Sequence, residues 1–476
     1  MKCLRIWRYT VVYERRGAIP RCDSIMRHVL TVFSLITIVK YNMTSIPTRE
    51  HLKREIGVRS LTLAIINQTI GTGIFVIPAL ISVKLGAAAI ITYLVCGALI
   101  FLIAMCFAEL GSKTTSSGGV YEYIETAFGP YAGFLANNIY WFGACVISDA
   151  AVANALADIL KYFIPAISHE IVRIVFFILI FGGLAFLNIR SVKNGIRFIE
   201  FTAFGKVIPL LILVIAGASF ISKENLNWTI TPTISNVGSA SLLLFFAFMG
   251  FEAPLSNGGE LKNAKKTVPL GIFLGISGVL IIYLAIQLIT QGVLGATIEA
   301  HKDAPLAAVA DIVFGKSGII LITAAAAISM LGFLGGEILS VPRILFAGAR
   351  DGLMPKVLSK IHPRFSTPYV AVIFYSSLGL LLAIFGAFKQ LAIIASASSL
   401  IIYFGAVLAT LKLRKSGSLL PEKTFKVPGG FTIPIFAVCI IVWLLSNLAK
   451  QEHIGVVVFI LVFSLIYLMI KILQKR

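Results

Sequence analysis

The sequence predicts an all-α integral membrane protein of twelve transmembrane helices, arranged as a five-plus-five inverted repeat with two further helices. Three observations predict it. The chain of 476 residues is 58% hydrophobic and only 13% charged, about half the charge of an ordinary soluble protein. Its apolar residues gather into twelve segments of the roughly 20 residues that a bilayer crossing requires. Two of those segments, the first and the sixth, break in the middle at glycine.

The segments start near Leu61, Leu85, Tyr131, Ile171, Gly195, Ser239, Val268, Ser317, Thr367, Leu391, Phe431 and Ile454. The first, Leu61 to Val83, holds Ile70-Gly71-Thr72-Gly73-Ile74-Phe75 at its centre. Backbone polar groups inside a bilayer must be paired, and glycine makes the helix that pairs them easy to abandon. The third segment carries Asp149 and Asp158, the fourth Arg173 near one end, and the fifth Lys206. The sixth holds Phe245-Phe246-Ala247-Phe248-Met249-Gly250-Phe251-Glu252, and the eighth carries Glu337. Two breaks at matching places in two halves point to a transporter, in which freed backbone groups meet a substrate or an ion. The competing reading is that these glycines only allow close helix packing. The limits that follow are residues 57–222 for the first repeat, 234–414 for the second, and 427–476 for the last two spans and a short cytoplasmic tail.

The net charge of +20 suggests nucleic acid until its distribution is read. With the amino terminus in the cytoplasm, the inner connections hold 17 basic residues and the outer ones 8. Clusters such as Arg190, Lys193 and Arg197 fall inside, and single lysines such as Lys84 and Lys223 fall outside. Lys and Arg orient membrane proteins in this sense. Both termini are therefore expected in the cytoplasm, with the basic charge serving topology and anionic headgroups. The six cysteines show no metal or redox spacing. No phosphate loop, metal-ligand cluster or nucleophile motif stands out, so no enzyme, cofactor or metal is called for. Residues 1–56 form a basic cytoplasmic segment whose one apolar run, Val29 to Val39, is too short to span. Met43 opens an ordinary start for a short tail, so residues 1–42 read as an extension without a role in the fold.

Three connecting segments add to the broken spans. They contain Ser116-Ser117-Gly118-Gly119-Val120-Tyr121, Lys262-Asn263-Ala264-Lys265-Lys266-Thr267-Val268-Pro269, and Arg350-Asp351-Gly352-Leu353-Met354-Pro355. The first leads into a predicted short helix over Tyr121 to Phe128, ended by Gly129-Pro130. With Gly-Thr-Gly-Ile-Phe and Phe-Met-Gly-Phe-Glu at the breaks, their order resembles the amino acid–polyamine–organocation transporter superfamily, specifically its amino-acid permeases. The resemblance covers residues 55–476. It implies a leucine-transporter-like fold with alternating access to one central site.

An α-amino acid brings a carboxylate and an ammonium, and burying both requires paired partners. Amides around Gly71, Thr72 and Gly73 lie at a half-helix amino end, which favours a carboxylate. The resemblance supplies carbonyls for the ammonium from Thr69, Phe246 and Met249, with Gly250 beside them. It also makes Phe246 an aromatic gate, against ordinary core packing, and gives Ala144 and Ser148 as side-chain pocket residues. Glu252 matches an acidic position that caps or bridges the bundle, with gating as its other role. Lys206 sits about 16 Å along the fifth segment, too deep to snorkel easily. In proton-coupled relatives a lysine there replaces a sodium ion, so Lys206 is the first candidate for proton coupling, against a permanent structural tie. Asp149 is the second. It is expected to receive a cationic side chain, to partner Lys206, or to bond a neighbouring hydroxyl. Glu337 reads as structural, paired with Arg343 or nearby bases.

The function expected is secondary active transport of amino acids across the cell membrane, as proton-coupled uptake. The partners are the substrate, protons and the lipid bilayer, with no nucleic acid. Exchange of amino acids or polyamines is the alternative within transport. An amino-acid sensor on a transporter fold and an ion channel are alternatives from other classes.

Overall fold

The structure is a computed structural model that describes residues 54–113, 119–161, 163–302, 304–385, 388–416, 425–448 and 450–474. The expected extension over 1–42 and the Ser116-Ser117-Gly118 turn lie outside the described residues. Among the described residues the regular structure is helical, apart from one bridge between Ile56 and Leu261. The first half holds α1 (Val58–Thr69), α2 (Gly73–Leu85), α3 (Ala89–Lys113), α4 (Val120–Phe128), α5 (Pro130–Leu160), α6 (Glu170–Arg190) and α7 (Val192–Gly217). The second holds α8 (Ile234–Phe248), α9 (Ala264–Leu294), α10 (Pro305–Phe314), α11 (Lys316–Arg350), α12 (Tyr369–Phe385) and α13 (Phe388–Ser416). Helices α14 (Thr432–Ser446) and α15 (Lys450–Gln474) close the chain.

The second to twelfth apolar segments each start on or beside one of these helices. The first falls on two, because α1 and α2 are separate helices of 12 and 13 residues. Eight helical stretches among the described residues are long and apolar enough to cross a membrane. The surface they present is apolar where a soluble protein would be polar. On α6, Ile171, Leu179 and Phe186 are exposed, and on α7 so are Phe201, Ile208 and Ile215. Faces of that kind are expected against lipid.

Small residues set the close packing inside. Helix α9 lies along both α3 and α1. A Cβ at Gly97 would stand 2.3 Å from Leu280, and one at Gly275 would stand 2.6 Å from Ile65. Between apolar helices in lipid, such approaches replace the hydrophobic drive with van der Waals contact. Helix α5 is wound as a π-helix over Ile139–Val146. That winding is rare and gathers at functional sites.

The short helix expected over Tyr121 to Phe128 is α4. It ends at Gly129, with φ +90, as Pro130 opens α5. It lies against the end of α11, where the Tyr121 hydroxyl donates to Asp351 Oδ2 at 2.7 Å. Arg350 also pairs with Asp351, at 2.8 Å. Burial, with Asp351 and Glu122 beside it, pushes the Glu125 carboxyl up to about 7. The raised value means that the fold prefers the protonated acid. Its contribution to stability is complete below the ordinary carboxylate range and is lost as pH rises through about 7. The protection of α4 amides, read as the slowing of exchange relative to the intrinsic rate at each pH, is therefore expected to fall between about pH 5 and 7, and Glu125→Gln should flatten that dependence. An unchanged pH profile in the variant would show that other groups control this contact.

Candidate functional site

The first break spans residues 70–72. Ile70 leaves the helix with ψ 85, and the helix resumes at Gly73. The second follows Phe248, where Met249 is extended with ψ 161 and Gly250 takes φ +99. The two breaks lie side by side. A Cβ at Gly73 would meet Ala247 Cβ at 2.9 Å, and one at Gly250 would meet the Gln68 carbonyl oxygen at 2.8 Å. Both glycines are thus needed for approach of one broken helix to the other. A bulky residue at Gly73 would therefore push α2 off α8.

Three side chains pair the carbonyls freed by the first break. Lys206 is fully buried. Its ammonium donates to the carbonyls of Asn67 at 2.8 Å, Ile70 at 2.7 Å and Ser329 at 3.1 Å. Three protons meet three acceptors, at the carbonyl end of α1 where a cation is favoured. The Ser329 hydroxyl lies 2.8 Å from Ile70 O and 3.1 Å from Gly71 O. The Tyr283 hydroxyl lies 2.7 Å from Ala247 O and 3.0 Å from Thr69 O, and shares one proton between the two breaks. Tyr283 was not a candidate from sequence, because a tyrosine in an apolar span carries no positional signal. The polar run Asn67-Gln68-Thr69 did carry one. Asn67 donates to Gly332 O at 2.6 Å and accepts from Thr202 at 3.2 Å.

A cavity lies between the breaks, with about 50 Å³ open to the centre of a water-sized sphere. Its walls bring together Thr69, Gly71, Thr72 and Gly73 from the first break with Phe246, Met249, Gly250 and Glu252 from the second. Ala144 and Ser148 of α5 join them, with Phe333 and Glu337 of α11 and Ser399 of α13. Backbone pairing narrows the head-group set. The Gly71 amide donates to Thr69 O at 2.9 Å, so these two expected ligands are already engaged with one another. The amides of Thr72 and Gly73 meet no backbone acceptor among the described residues. They sit at the start of α2, where a helix leaves its first amides free.

The acids each have their own partners. Glu252 accepts from the Tyr403 hydroxyl and from the Gly250 amide, the latter at 3.1 Å, so it ties α13 to the second break. Asp149 is fully buried and accepts from the Tyr375 hydroxyl at 2.8 Å. It does not partner Lys206, whose protons are spent on carbonyls, and it is not part of the cavity wall. Of the roles expected for it, the hydroxyl bond is the one formed. Glu337 does not pair with Arg343. That arginine pairs with Glu260 at 3.0 Å, both side chains fully buried, and Glu337 instead accepts from Gln68 Nε2 at 2.8 Å. At the amino end of α1, the Glu55 and Ile56 amides donate to Glu260 O at 2.9 and 3.0 Å. A second, smaller cavity lies between that closure and the central one, and Gln68 lines both.

An all-helical chain with apolar outer faces, folded around a cavity between two broken helices, is a multi-pass membrane protein. Residues 56–472 match the family described as amino acid permease, and the chain belongs to it. It is 28% identical to the branched-chain amino acid permease BcaP of Bacillus subtilis over 439 residues, 87% of this chain and 92% of that protein. It is 28% identical to the serine/threonine exchanger SteT of the same organism, covering 81% of this chain and 89% of that protein. The b(0,+)-type amino acid transporter 1 of Homo sapiens is 28% identical, over 88% of each chain. The family and these relatives are transporters, not enzymes.

Gly250 and Gly71 separate backbone strain from cavity space. Gly250→Ala puts a side chain at φ +99 against a backbone oxygen, which should cost about 1–3 kcal/mol. Gly71 has only Phe333 near it, at 3.7 Å, so Gly71→Ala should change stability by about 0.5 kcal/mol or less. Thermal unfolding of the two variants in detergent checks this, and equal losses would sink it.

Proposed function

We propose that this protein is a secondary active transporter of amino acids across the cell membrane, working by alternating access and proton-coupled uptake. The observation that carries the reading is the pair of adjoining helix breaks. Thr72 and Gly73, whose amides meet no backbone acceptor among the described residues, line the cavity there. Those amides take the substrate carboxylate. The carbonyls of Phe246 and Met249 take the ammonium, and Phe246 closes over it. Recognition by backbone reads the amino-acid head group and leaves the side chain to Ala144, Ser148 and their neighbours. Residues 57–222 and 234–414 are the two inverted repeats of a twelve-span bundle, 427–476 supply the last two spans, and both termini face the cytoplasm.

Lys206 couples the cycle to protons. Charged, it holds the Asn67, Ile70 and Ser329 carbonyls together and favours one access state. Uncharged, it releases that hold and permits the other. Exchange is the second reading, favoured by the same three hydrogen bonds, because a lysine so fully paired also serves as a permanent tie.

Purified protein in liposomes, with labelled amino acids and an imposed pH gradient, tests both parts. Amino-acid amides and N-acetylated analogues are expected to compete poorly, and equal competition would remove the head-group site. Lys206→Ala should lose gradient-driven accumulation while keeping part of its substrate binding. Lys206→Arg should fail as well, because arginine keeps its proton at any working pH. Undiminished accumulation in the alanine variant would remove Lys206 from the mechanism and leave Asp149 as the next candidate.

A further inference from the structure

Glu337 is buried, with 2% of its surface exposed, and it lines the central cavity one helical turn from Phe333. Its two carboxylate oxygens differ. Oε1 accepts from Gln68 Nε2 at 2.8 Å. Oε2 is buried without a hydrogen-bond partner among the described residues, and the Cys145 thiol, a weak donor, lies beside the carboxyl. The Gln68 amide is pinned in place, since even a Cβ on Gly336 would stand 1.9 Å from its Oε1. Gln68 therefore secures one oxygen of a carboxyl that lines the cavity and leaves the other without a hydrogen bond.

The nearby cations are committed elsewhere. Arg343 pairs with Glu260, and the three protons of Lys206 go to three carbonyls. Glu252 has donors in Tyr403 and Gly250; Asp149 also has one bare oxygen beside the one that Tyr375 serves, but it is not part of the cavity wall. A buried carboxylate oxygen with no donor is costly. A neutral amino acid held by its head group would leave that cost in place. A substrate with a second, protonated nitrogen would remove it through a charge-assisted hydrogen bond.

We propose that Glu337 is a specificity-determining residue whose Oε2 receives a protonated nitrogen at the end of the substrate's side chain. The site then favours dibasic amino acids of the lysine and ornithine type. The inference rests on the amino-acid reading above and goes beyond it in naming the substrate class and the residue that selects it.

The test is counterflow in liposomes with labelled lysine and labelled leucine, for the parent protein, Glu337→Gln and Glu337→Asp. The parent should carry lysine. Glu337→Gln keeps an oxygen for Gln68 but removes the charge, so its ratio of lysine to leucine transport should fall at least about tenfold. Glu337→Asp keeps the charge and should hold a ratio nearer that of the parent. An unchanged ratio in Glu337→Gln overturns the inference and makes Glu337 a packing or proton-carrying group. A parent that carries leucine but not lysine also overturns it, and leaves amino-acid transport standing. A parent that carries no amino acid overturns both.

Discussion

The requirement that buried backbone groups be paired governs this molecule. A helix crossing an apolar medium satisfies every amide and carbonyl from within. Residues 70–72 give up that arrangement, and much of the centre of the bundle answers the loss. Lys206 from α7, Ser329 from α11 and Tyr283 from α9 each bring a donor to carbonyls that the break set free. Three helices are thereby tied to one short stretch of backbone. The amides of Thr72 and Gly73 meet no backbone acceptor among the described residues, and both residues line the cavity.

Side-chain absence does as much as side-chain chemistry. The two breaks can lie against each other only because Gly73 and Gly250 have no Cβ where Ala247 and Gln68 approach. The same holds where α9 crosses α1, through Gly271 and Gly275. Dispersion forces at such contacts are individually small, and they accumulate only when backbones come close. Glycine is thus used in two ways here. At Gly250 it permits a backbone conformation, and at Gly73 it permits an approach.

Charge inside the bundle is handled case by case. Arg343 and Glu260 cancel each other where α1 and the stretch after the second break are joined. Glu252 draws its donors from α13 and from its own turn. A membrane relative with the same apolar outline need not share these choices, and relatives of equal identity here differ in what they carry. The methylthioribose transporter of Bacillus subtilis is 27% identical over 87% of this chain, close to the value for the amino acid permease BcaP. Overall likeness at this level therefore shows the family and does not single out one substrate.

Much of the fold was legible in the sequence because hydropathy and glycine are local signals. Runs of apolar residues located the helices, and Gly-Thr-Gly and Met-Gly located the two breaks. Lys206 announced itself by depth alone, as a charge in mid-span. Partner choice was not legible, because it depends on which faces meet. Glu337 lies six residues before Arg343 on one helix and still pairs with Gln68 from another, while Arg343 turns to Glu260. Asp149 and Lys206 look like natural partners on a list of intramembrane charges, yet the carbonyls of Asn67, Ile70 and Ser329 reach the lysine first. Sequence by itself determined that the chain is a helical membrane protein with two weakened spans. Only the tertiary structure decided which donors meet which acceptors, because hydrogen bonds are short and directional, and their geometry exists only once the helices are packed.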